Sequence, residues 1–77
     1  MNQNEREKIA DKMLALSNSA VNFSNCLSLL WYDFLNFERN EEDGIADFKH
    51  VSTYFDEVQA DFYALRAEII RFNEKGN

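Results

Sequence analysis

The sequence predicts an all-α fold: an antiparallel αα-hairpin with coiled-coil-like packing, completed to a four-helix bundle by homodimerisation. Three observations lead there. The first is an apolar seam at Phe48, Val51, Phe55, Val58, Phe62, Leu65, Ile69 and Phe72. Its alternating steps of three and four are the period of a helix lying along a partner helix. The second is a matching seam at Ile9, Met13, Leu16, Ala20, Phe23, Leu27, Leu30, Phe34 and Phe37. The third is that the seams register against each other, Phe37 with Phe48, Phe34 with Val51 and so on to Met13 with Phe72, each pair of positions adding to 85. A constant total is the condition for a hairpin, and its centre falls in the polar run from Arg39 to Gly44.

Taken in order, residues 1 to 3 are expected to fray, with Asn4 as N-cap and Glu7 reaching back in a capping box. Helix one is expected over about 5–38. Its weakest part is Ser17 to Ser28, where Ser and Asn compete for backbone hydrogen bonds. The seam crosses that stretch without a phase shift and the chain has no proline, so the helix is expected to continue. Small polar residues there would also let another surface approach closely. The turn is placed at about 39–44 and helix two at about 45–74, with Asn40 or Asp43 as its cap and Gly76 as its stop. The whole is a single domain.

Composition agrees with a folded, non-membrane chain. The sequence is 45% apolar and 29% charged, outside the range of disordered segments. Seven Phe, three Tyr and one Trp supply large burial per residue. A chain of 77 residues nonetheless buries only a thin core. Fourteen acidic against eight basic residues give a net charge of −6, which argues against a surface built for a nucleic-acid backbone. No run approaches the ~20 apolar residues of a membrane span, and the first residues lack a signal-peptide core. The expected location is the cytoplasm.

The seams leave apolar groups unused. Leu14, Val21, Trp31 and Leu35 on helix one, with Ile45, Tyr63 and Ile70 on helix two, form supplementary stripes read as an oligomer or partner interface. Self-association is the simplest way to cover them, and a different protein is the competing occupant.

Catalytic signatures are lacking. His50 and Asp47 make an Asp-x-x-His pair off the seam, without the inward carboxylates a bundle metal site needs. Cys26 reads as a small residue beside the seam, near Asp61 in that register. Glycines occur only at 44 and 76, so there is no phosphate loop. No catalytic, metal or cofactor role is assigned to any residue.

One polar and aromatic constellation carries an alternative. Gln59, Tyr63 and Arg66 share a face of helix two, and the expected register sets them near Ser24, Ser17 and, less closely, Trp31. Aromatic faces stack on bases, an amide reads a base edge and an arginine forks onto phosphate. The alternative is an oligomer that sequesters a small anionic, nucleotide-like ligand. The leading expectation is a non-enzymatic protein–protein interaction module acting through an exposed helical surface. By analogy of size and acidity alone, such chains serve as accessory or inhibitor proteins in bacteria, phages and mobile elements.

Overall fold

The computed structural model describes residues 2–36 and 41–76, except for the side chains of 41, 43, 45, 46, 75 and 76. It is a helical hairpin of two elements, α1 (Gln3–Leu35) and α2 (Glu41–Gly76), packed along each other in a rod of 55 × 15 × 13 Å. Among the described residues no helix is long and apolar enough to cross a membrane.

Helix α1 starts two residues earlier than the sequence suggested. Asn2 is the N-cap: its Oδ1 accepts from the Glu5 backbone N–H at 2.9 Å, and its Nδ2 donates to Glu5 Oε1 at 3.2 Å. The pairing Asn2 with Glu5 repeats the spacing of Asn4 with Glu7, so the pattern fits both, and the earlier one adds half a turn of helix. The helix then runs unbroken through Ser17 to Ser28. Within that stretch Ser19 is buried, its hydroxyl donating to the Leu16 carbonyl at 3.1 Å and so keeping the polar group satisfied inside the helix. At the other end Asn36 closes α1, its backbone N–H and Nδ2 both donating to the Tyr32 carbonyl.

Helix α2 begins at Glu41, four residues before the expected start, which draws most of the polar run into its first turns. Acidic residues suit that end, where unpaired N–H groups carry partial positive charge. Gly44, expected in the turn, is a buried helical residue. The Phe34 ring fills the space a Cβ at position 44 would need.

This earlier turn resets the register. Phe34 meets Gly44, and Phe23 meets Phe55 with ring centroids 5.6 Å apart. Each of these pairs adds to 78, one heptad short of the expected 85. The seam also differs in which residues face the other helix. Buried or half-buried on α1 are Glu5, Ile9, Lys12, Leu16, Ser19, Phe23, Cys26, Leu30 and Asp33; on α2 they are Gly44, Asp47, Val51, Tyr54, Val58, Asp61, Ala64, Leu65, Glu68 and Phe72. Apart from Ala64, these sets again step by three and four, but only every second apolar residue of the expected seams is in them. Phe37 lies outside the described residues.

A candidate interaction face

The residues displaced from the hairpin seam define the candidate site. Met13, Ala20, Leu27 and Phe34 on α1, and Phe48, Phe55, Phe62 and Ile69 on α2, are exposed over about 32 Å of each helix. Phe48 is 59% exposed and Phe62 50%, whereas Val51, three residues after Phe48, is 4%. Each stripe residue stands four positions after a seam residue, so the stripes border the seam directly. Two aromatic rings lean across it: Phe34 over Gly44, and Phe55 onto Phe23.

The other border of the seam is polar. Cys26, Leu29, Leu30, Asp33, Asp47, His50 and Tyr54 line a cleft of about 260 Å³ there. Among the described residues no group of three His, Cys, Asp or Glu side chains is placed to hold a metal ion. At the far end Asn2, Glu5, Lys8 and Ile9 share a smaller cleft of about 140 Å³ with Glu68, Arg71 and Phe72, where Arg71 ion-pairs with Glu68.

The supplementary stripes read from the sequence are placed as follows. Leu14, Val21, Leu35, Tyr63 and Ile70 are all exposed, as is Trp31. The side chain of Ile45 lies outside the described residues. Leu14 stands two residues from both Lys12 and Leu16, about 200° round the helix from each, so it faces away from the other helix. Val21, Leu35, Tyr63 and Ile70 occupy equivalent positions at seven-residue intervals. They therefore lie on the outer backs of the two helices and do not share one edge. Trp31 differs: it follows Leu27 by four and precedes Phe34 by three, and so extends the exposed stripe.

The alternative ligand residues are spread along the rod. On the observed register Ser24 is level with residue 54, which leaves Gln59 about 8 Å further along α2. Trp31 is level with residue 47, and Arg66 lies about 28 Å beyond that level. Gln59 and Arg66 instead border Phe62, at spacings of three and four. Asp61 is likewise about 13 Å along the rod from the level of Cys26, and the acidic neighbours of Cys26 in its cleft are Asp33 and Asp47.

Sequence reasoning found every residue of the stripe but assigned it to the inside of the hairpin. In the structure the hairpin covers instead the residue one position earlier, Lys12, Ser19, Cys26 and Asp33, which no apolar pattern marks as a seam. Compared with protein-family models, curated proteins and solved structures, the chain matches none.

Proposed function

We propose that this chain is a non-enzymatic protein–protein interaction module that works by having its exposed apolar stripe covered by another helical surface. The observation that carries the reading is the uncovered stripe itself: Met13, Leu27, Phe34, Phe48, Phe55, Phe62 and Ile69 are large apolar side chains in water. An apolar surface of that extent marks an interaction site in a soluble chain.

In this reading the helices run antiparallel, a course supported by the pairs Phe34 with Gly44, Phe23 with Phe55 and Ile9 beside Phe72. Opposite directions put both stripes on one side of the hairpin, because each lies one step round its helix in the same sense from the seam. A further helical layer on that side completes a four-helix core, in which three-four seams point at the bundle centre and not at a single neighbour. Small accessory or inhibitor proteins act in this way, through shape and apolar contact.

The test is the state of the chain in its own host, recovered by gentle lysis and sized at native abundance. The expected result is a complex larger than 9.1 kDa that shrinks on Phe62→Ser. A chain that migrates alone and gains thermal stability with millimolar nucleotide, a gain removed by Arg66→Ala, would replace this reading with the ligand-sequestering one.

A further inference from the structure

We infer that the occupant of the stripe is a second copy of this chain, joined face to face through Met13, Leu27, Phe34, Phe48, Phe55 and Phe62. This rests on the interaction reading above and names its partner.

Area is the first argument. A folded monomer of 9.1 kDa is expected to expose about 4,900 Å². The hairpin exposes 6093 Å², an excess of about 1,200 Å². A standard interface covers about 800 Å² on each partner, so the surplus is enough for a stable dimer.

Charge is the second. In a chain of net charge −6, like copies repel unless the contact avoids acidic groups. Among the described residues of the stripe and its outer border there is no carboxylate, the border carrying Ser17, Ser24, Ser52, Gln59 and Arg66. Of the half-buried acids, Asp33, Asp47, Asp61 and Glu68 lie at the opposite border of the seam, and Glu5 lies in the cleft with Glu68 and Arg71 at the end of the rod. Among the described residues, the face that would meet its copy is the one from which negative charge is missing.

Shape is the third. A two-fold contact needs a self-complementary patch. Here Ala20 leaves a gap among large residues, and the small serines Ser17, Ser24 and Ser52 border the stripe so that backbones can approach. The stripe runs about 32 Å along each helix of a 55 Å rod, so a second hairpin is long enough to cover all of it. The dimer then restores the complete sequence seams, Ile9 to Phe34 and Phe48 to Phe72, as the inner lining of four helices.

The experiment uses the purified full chain. Light scattering across a dilution series is expected to give twice 9.1 kDa at high micromolar concentration. On a Cys26→Ser background, a thiol introduced by Leu27→Cys should react with maleimide at least ten-fold more slowly in the dimer than after dilution. One introduced by Glu57→Cys should react equally fast in both. Phe55→Glu should shift the mass to the monomer.

A folded monomer with a reactive thiol at position 27 throughout overturns the second copy as occupant and leaves the stripe open to another protein. A folded monomer whose thiol at 27 is already protected overturns both this inference and the interaction reading. A dimer that leaves that thiol fully reactive overturns the face.

Discussion

The Phe34 ring lies where a side chain at position 44 would be, so Gly44 is a helical glycine kept open by a neighbour on the other helix. In an ordinary helix interior, Gly→Ala stabilises by about 1 kcal/mol. Here the Cβ must push the ring out of its seat, and Gly44→Ala should instead lose about 1 kcal/mol, read from the urea midpoint. In a Phe34→Ala background the same substitution should gain about 0.5–1 kcal/mol. Additive effects in the two backgrounds would mean that the ring does not occupy that seat.

On the proposed pairing Leu30 and Phe62 belong to different layers, and concentration tells them apart. Leu30 is buried within the hairpin. Leu30→Ala should cost roughly 2–4 kcal/mol at any protein concentration. Phe62 is half exposed until the stripe is covered, so Phe62→Ala should cost about 3–5 kcal/mol in the assembled protein and under about 1 kcal/mol in a dilute hairpin. Equal losses at both concentrations would place Phe62 in the hairpin's own core.

The cap of α1 gives a local test. Asn2→Ala removes the acceptor for the Glu5 N–H and should cost about 1 kcal/mol. Asn4→Ala, inside the first turn, should change stability by less than about 0.5 kcal/mol. The reverse order in thermal melts would return the cap to Asn4.

Ser19 probes how closely the helices approach. Its hydroxyl bonds only within its own helix, so Ser19→Ala should be neutral or stabilising by up to about 0.5 kcal/mol. Ser19→Leu overfills the seam and should cost about 1–3 kcal/mol. A well-tolerated leucine, measured by chemical denaturation, would show that the seam is loose there.

While α2 is longer than expected, starting at Glu41 and not near 45, two helices and the apolar residues that matter were legible from the three-four steps alone. The register was not, and the reason is general to heptads. Sliding α2 by seven residues leaves apolar opposite apolar throughout, so Leu30 can face Phe55 or residue 48 with equal pattern quality. The turn must decide, and helix ends read from sequence are uncertain by about 2–4 residues. Gly44 compounded this, since a glycine beside Glu42 and Asp43 reads as a turn when its function is to admit Phe34. The exposed stripe was hidden for a second reason. An apolar stripe reports that it is buried somewhere, not which neighbour buries it, and polar Lys12, Ser19 and Asp33 gave no hint that they were the ones between the helices.

An uncovered stripe also bears on how long a molecule lasts. Proteases and chaperones in the cell triage chains by exposed apolar surface and transient opening. On the proposed pairing, copies that have not found one another display Phe48, Phe55 and Phe62 and are the ones removed, so abundance regulates itself. Pulse-chase half-lives should then be several-fold shorter for Phe62→Ser than for Glu57→Ala, and equal lifetimes would separate this chain's turnover from its assembly.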